Sequence, residues 1–289
     1  YVKERKAFGK PIAALQNMPG MARSPFGDGM LIVRGSAPQD TSIRLEGVSI
    51  PLAYHFGGIT SVINNRLLDD IQLIPGNHPT RYGGAHGGVV DIRLRELQQD
   101  PFVGWHGELE VDLFEAQAQV EGPITDDLSF AVALRRSYIE AWSGLIFGGM
   151  QLVQAPVYWD YQAILQWTPN SRHFFRLIAY GSDDQMEFVS DEPGDTGQSV
   201  TGSIGQHINF HGGIFQYRYR PEGPFSFDLT ASAGYNGINF GAGAKYSFDV
   251  DTVSAMVRPE ATIRLGSWGR VLLGSELEIT YTNADVTSD

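Results

Sequence analysis

From Trp105 to the end of the chain, apolar side chains recur at every second position in segments of about ten residues, a period that belongs to extended strands. In the first segment Trp105, Leu109, Val111 and Leu113 share one face, and His106, Glu108, Glu110 and Asp112 share the other. Leu128, Phe130, Val132 and Leu134 likewise oppose Ser129, Ala131, Ala133 and Arg135, and Trp159, Tyr161, Ala163, Leu165 and Trp167 oppose Asp160, Gln162, Ile164 and Gln166. The same alternation marks Phe225 to Tyr235 and Val271 to Tyr281. Two stretches, near 173–182 and 206–220, alternate less cleanly, and Gly212-Gly213 is expected to mark a bulge that shifts the phase. The sum is about nine strands. Alternation alone does not choose between a soluble sandwich, a soluble barrel and a membrane barrel.

The connections support the membrane barrel. Gly122 to Asp127, Pro169 to Arg172, Pro221 to Pro224 and Gly266 to Gly269 read as tight turns, and between them lie longer loops at about 140–156 and 183–205. Short turns on one end and long loops on the other are how an outer-membrane barrel sits, and Trp105, Trp159, Trp167, Phe225, Tyr235 and Tyr281 fall where interfacial girdles would.

Composition narrows the partners. The 289 residues carry a net charge of -12, with 19% charged and 11% aromatic residues and 34 glycines. That balance leans toward sheet, and an acidic chain has no basic stripe for nucleic acid. Zero cysteines removes disulfides and thiolate metal sites. No run of about 18 apolar residues offers a membrane helix, a test that strands escape. The opening Tyr1-Val-Lys-Glu-Arg-Lys is no signal peptide, and the N-terminus reads as processed or truncated.

Residues 1–98 are of another kind. A helical turn or two over Pro11 to Met18, short strands near 30–34, 43–48, 71–74 and 88–94, and a short helix near Ser61 to Leu68 make a small mixed α/β module. Residues 95–104 form the linker to the strands of 99–289. Five glycines surround Tyr82 between Ile74 and Val89, yet Tyr-Gly-Gly-Ala-His-Gly-Gly is no phosphate loop, since it lacks a Lys-Ser/Thr ending and leads into a strand.

Four spaced pieces carry a resemblance: Asn17-Met18-Pro19-Gly20, Ile32-Val33-Arg34-Gly35, Leu45-Glu46-Gly47-Val48, and the run from Arg81-Tyr82-Gly83 through Gly87-Gly88 to Asp91. In order and spacing they resemble the plug domain of TonB-dependent outer-membrane transporters. Met21 stands for the usual Val, Glu46 for Asp, and Ile74-Pro75-Gly76 for Arg-Gly-Pro, which removes an arginine the family uses to lock plug to barrel. The resemblance implies a mainly β fold, a plug over 1–98 followed by the first, partial set of antiparallel transmembrane barrel strands. It implies residence in the outer membrane of a Gram-negative bacterium, contact with outer-membrane lipid, energy coupling from an inner-membrane TonB-type complex, and uptake of a scarce solute such as a siderophore, vitamin, oligosaccharide or peptide. About nine strands fall short of the 22 that close such barrels, so the chain reads as the first part of a longer polypeptide. A plugged barrel serving export, signalling or adhesion is the alternative within the envelope, and a soluble carbohydrate-processing β-protein the alternative outside it.

The site residues follow from the resemblance. Outward plug loops fall at Met21 to Gly29, Gly35 to Asp40 and Ile50 to Phe56, and Arg23, Phe26, Gln39, Tyr54, His55 and Phe56 are expected to contact ligand, an aromatic cluster with polar tips suiting an amphipathic solute. Packing of Tyr54-His55-Phe56 against the barrel wall is the equal alternative. Arg34 is expected to lock plug to barrel. No catalytic constellation, cofactor or metal is expected: the seven histidines are scattered, and His207 and His211, four apart on a strand, stand about 13 Å apart. Alternate carboxylates such as Glu108, Glu110 and Asp112 read as a solvated face.

Overall fold

The computed structural model describes residues 2–3, 20–23, 31–37, 40–55, 60–98, 104–141, 154–190, 202–242 and 246–288. The expected helix over Pro11 to Met18 lies outside them. Among the described residues no helix is long and apolar enough to cross a membrane, which says nothing of strands.

The N-terminal module is built on a five-stranded sheet of β1 (Val2–Lys3), β4 (Ser42–Leu45), β5 (Val48–Ser49), β6 (Leu68–Ile74) and β7 (Val89–Leu94), in the order β1-β6-β7-β4-β5, with a separate hairpin of β2 (Met21–Arg23) and β3 (Leu31–Val33). β4 and β7 run parallel and every other pair is antiparallel. The two-residue turn between β4 and β5 needs positive φ at both central positions, and Glu46 and Gly47 supply +52° and +82°. Gly88 answers a different need, because a Cβ there would lie 2.7 Å from the Val33 side chain. The segment expected as a helix near Ser61 to Leu68 is a single 3-10 turn, Asn65–Leu67, capped by the Asn64 side chain. A helix fails here because the amide of Asn64 and the carbonyl of Val62 are taken by the side chain of Gln162 on the wall.

The wall is one antiparallel meander: β8 (His106–Val111), β9 (Glu115–Pro123), β10 (Leu128–Ser137), β11 (Gln154–Asn170), β12 (His173–Ser190), β13 (Gly202–Tyr219), β14 (Phe225–Ala242), β15 (Tyr246–Arg264), β16 (Arg270–Gly274) and β17 (Leu277–Ser288). β16 and β17 both pair with β15 in one continuous register. They are one strand interrupted opposite Pro259, whose carbonyl accepts from Ser275 but which has no N–H to return. The nine strands expected are therefore nine, the last in two pieces. β12 and β13 reach further than read, to Ser190 and from Gly202, so the expected loop of 183–205 is shorter. No bulge occurs at Gly212-Gly213, where the ladders to β12 and β14 run without a shift. Gly212 is there for space: a Cβ would lie 2.5 Å from the Tyr180 hydroxyl.

The two faces of the wall separate cleanly. Ala131, Ala133, Ile164, Ile178 and Ile214 point at the module and join its Leu45, Ile63 and Ile92 in one apolar core. Leu165, Leu177, Phe215 and Val257 point the other way and are exposed. Two aromatic rows bound that exposed band. On one side Trp167, Phe175 and Tyr217 stack across three strands with centroids 5.0 and 4.8 Å apart. On the other, Tyr161 and His211 stack at 5.9 Å across Gly181, whose missing side chain makes the contact possible. Tyr161 and Trp167 are six residues apart on β11, about 20 Å along the strand.

Candidate functional site

Residues 53–55 and 60–62 lie side by side, Val62 donating to the Ala53 carbonyl at 2.9 Å and His55 to the Thr60 carbonyl at 3.0 Å. They carry His55 into the wall. Its Nε2 lies 2.8 Å from an Asp160 oxygen and its Nδ1 2.8 Å from an Asp184 oxygen, and all three side chains are buried. The ring stacks on Tyr158 at 4.1 Å. With a carboxylate at each nitrogen, both nitrogens are needed as donors, which only the imidazolium provides. Arg135 completes the cluster from β10, its Nε donating to Asp160 at 2.7 Å and its two terminal nitrogens to Thr60 Oγ1 at 2.8 Å and the Ser61 carbonyl at 2.5 Å. Ser182 and Gln162 donate to the remaining oxygens of Asp184 and Asp160, and Tyr158 to Glu115. Every buried carboxylate here has its partners, the condition under which buried ions are tolerated.

Burial alone would push the His55 pKa down. The Asp184 charge, the hydrogen bonds to Asp160 and Asp184, and the Asp160 charge outweigh it, so the pKa is raised above the ordinary imidazole value. A raised pKa gives docking stability that is complete below about pH 6.5 and disappears as pH rises through the docked value. Hydrogen-exchange protection of the amides of Val62 and Ile63, taken relative to the base-catalysed rate of an unprotected chain, should therefore fall on going alkaline in the native protein, with no such trend in His55→Asn. A flat native profile would show that the ring is neutral.

A second contact is made by the Glu46-Gly47 turn. The Glu46 carboxylate accepts from the Leu94 amide at 2.6 Å, from Arg176 at 2.8 Å and from Gln216 at 2.9 Å, while the Gly47 carbonyl accepts from Arg258 at 3.0 Å. A Cβ on Gly47 would fall on the Arg258 guanidinium, and the backbone there is left-handed. Gly47→Ala should cost about 1–2 kcal/mol from φ alone, more once Arg258 is displaced. Thermal melting monitored on module tryptic peptides tests it, and an unshifted melt would free the turn of this role.

Around these contacts lie further ion pairs from module to wall: Arg66 to Glu108, Arg95 to Glu121, Arg81 to Glu260 at 3.3 Å and Arg44 to Glu276 at 3.6 Å. Between β6 and β8–β9 a polar cavity of about 800 Å³ is lined by Arg66, Asp70, Arg95, Glu108, Glu110 and Glu121 among others. Among the described residues no three His, Cys, Asp or Glu are placed to hold a metal.

A domain lodged against a barrel wall through buried charges has a known counterpart. The family profile of the TonB-dependent receptor plug domain matches residues 3–89. Residues 3–89 are thus a plug domain of that family. The wall has the fold of the same receptors' barrels. FauA, the alcaligin outer-membrane receptor of Bordetella pertussis, superposes with a TM-score of 0.68 at 10% identity over 95% of this chain and 44% of its own. FpvA of Pseudomonas aeruginosa gives 0.67 at 10% identity, covering 96% and 41%. The ferric enterobactin receptor PfeA of Pseudomonas aeruginosa gives 0.60 at 16% identity, covering 92% and 46%. At these identities the likeness is one of fold, and the chain spans less than half the length of each. No curated protein sequence matches it.

The plug motif residues serve the backbone. Gly20 and Gly35 adopt positive φ, Gly83 is exposed, and Gly87 passes within 3.0 Å of the Asp40 carbonyl for a built Cβ. Tyr82 is buried, its hydroxyl donating to Asp91 at 2.9 Å and its ring flanked by Arg44 and Arg81. The expected site residues fare unevenly. Tyr54 and His55 are wholly buried, so neither presents a surface to a solute, and the packing alternative describes them. Arg23 closes β2, while Phe26, Gln39 and Phe56 lie outside the described residues. Arg34 is exposed, with φ +51° and its amide donating to the Gly20 carbonyl, and it forms no ion pair among the described residues. The described contacts from plug to wall are made by His55, Glu46 and the arginines at 44, 66 and 95. Of the lock, sequence reasoning missed Asp160, Asp184, Arg176 and Gln216, although Asp160 already stood on the polar face of its strand. His207 and His211 point outward, His207 pairing with Asp183 at 3.0 Å.

Proposed function

We propose that this receptor imports a solute across the outer membrane, its exposed apolar band facing lipid and its plug displaced when an inner-membrane TonB-type complex pulls on it. The observation that carries the reading is the chemistry of the plug–wall contact. A plug meant as a permanent stopper needs only apolar packing, whereas this one adds to its apolar contact a set of buried ion pairs whose stability is set by protonation and by partner position. Such an interface can be released by moving a few charges while the wall stays intact. The polar cavity beside β8–β9 leaves hydrated space along which a displaced plug segment can shift.

The relatives named above bind alcaligin, ferric enterobactin and pyoverdine-iron, so ferric chelates are the first class to try. Cells expressing the receptor from its own gene and supplied with iron-55 complexes of hydroxamate and catecholate chelators should accumulate label, and an uncoupler of the proton-motive force should abolish it. Accumulation that ignores the uncoupler would refute energised import. Absence of uptake for every chelate would move the search to vitamins, oligosaccharides and peptides.

A further inference from the structure

The polar cavity between β6 and β8–β9 holds more negative charge than its arginines neutralise. Eight carboxylates and three guanidiniums line its volume of about 800 Å³. Each guanidinium is already committed: Arg66 to Glu108, Arg95 to Glu121, and Arg135 to Glu115 and Asp160. Of the other carboxylates, Glu96 pairs with Arg218, and Asp112 accepts from the amides of Phe114 and Glu115. That leaves Asp69 and Asp70 on the plug and Glu110 on the wall without an ion pair among the described residues.

Asp70 is the one that most needs a partner. It is 5% exposed, one of its oxygens accepts from the Gln72 side chain at 2.8 Å, and the other has no hydrogen-bond donor among the described residues. A buried carboxylate with a bare oxygen carries a desolvation cost that one neutral amide does not offset, and an ion or water is the usual remedy. Glu110 has no more than the Gln117 amide. Like charges along a cleft with protein walls reinforce one another's field and draw counter-ions in. The kind of counter-ion follows from the donor set. Zinc and calcium are held by several protein ligands at once, and among the described residues no three His, Cys, Asp or Glu are placed for that. Magnesium keeps several of its waters and is bound through one or two carboxylates. Those waters fit, since the cavity equals roughly 25 water volumes.

We propose that this cavity holds a hydrated divalent cation of the magnesium class, the counter-ion of Asp69 and Asp70 on the plug and of Glu110 on the wall. The ion offsets the repulsion between two acidic surfaces that the arginines leave unbalanced. It thereby adds a clasp on the β6 side of the plug. Nothing in the inference depends on solute import.

The test uses the receptor purified from outer membranes and placed in nanodiscs of zwitterionic lipid, in enough sodium chloride to screen loosely gathered ions. Manganese(II) is the paramagnetic probe. The native receptor should bind one ion more than the double variant Asp70→Asn with Glu110→Gln, read from the loss of the free-ion electron paramagnetic resonance signal, and excess magnesium should displace it. Metal bound to carried-over lipid is common to both proteins and cancels in the difference. The bound ion should enhance water-proton relaxation, because it keeps exchangeable waters. Either single substitution should weaken binding at least about tenfold. Hydrogen exchange gives a reading on the native protein alone, which no folding defect of a variant can blur. A chelator should lower the protection of the β6 amides, and magnesium should restore it where sodium at the same ionic strength does not. Equal manganese binding by the native and double-variant receptors, a bound ion without relaxation enhancement, or β6 protection that ignores the chelator would overturn the proposal. None of these readouts needs an energised membrane, so they stand or fall separately from uptake.

Discussion

Replacing His55 with leucine should loosen the plug more than any other single change in its loop. Among the described residues the substitution removes the only cation touching Asp184, a carboxylate with no exposure, and leaves it Ser182 alone. Breaking a buried pair from one side costs about 3–5 kcal/mol, because the surviving charge stays desolvated. Hydrogen exchange of the amides at 60–64 should accelerate by roughly two to three orders of magnitude, while β14, which His55 does not touch, keeps its native protection. Cells carrying the variant should become sensitive to large antibiotics that the plug excludes. The rescue distinguishes charge from packing: adding Asp184→Asn to His55→Leu removes the unpaired charge and should recover much of the loss. Native protection in His55→Leu, or no rescue by the second change, would reduce His55 to a space-filling residue.

The wall was legible in the sequence because its information is local. On β11, Trp159, Leu165 and Trp167 against Asp160, Gln162 and Gln166 states which face turns inward, and an antiparallel meander with tight turns leaves little choice of topology. Positions serving backbone shape were legible as well, the Glu46-Gly47 turn being an example. What failed depended on contacts distant in sequence. The Ser61 to Leu68 stretch reads as a helix until Gln162, nearly a hundred residues later, takes its backbone groups. Gly212-Gly213 reads as a bulge until Tyr180 shows the space to be needed. His55 was flagged for its loop, but its partners lie 105 and 129 residues away, and no spacing rule brings them together.

Arg135→Met should be nearly as damaging as the loss of His55, with a different dependence on its surroundings. Arg135 is the only wall cation in the cluster among the described residues, and its removal leaves Asp160 with His55 and Gln162, Glu115 with Tyr158 and a weak contact to Thr60, and the Ser61 carbonyl without its donor. The expected cost is again about 3–5 kcal/mol in plug docking. Arg135→Lys keeps the charge but loses the fork, so one ammonium cannot serve Asp160, Thr60 and the Ser61 carbonyl together, and it should recover less than half of the protection. Because His55 and Arg135 share Asp160, their effects cannot add: once either is gone, the interface around that carboxylate is already open. The double variant His55→Leu with Arg135→Met should therefore cost clearly less than the two single losses combined, measured by hydrogen exchange of the same plug amides. Strict additivity would show two independent clasps, and the plug would then have to be released at two places, where the shared carboxylate argues for one.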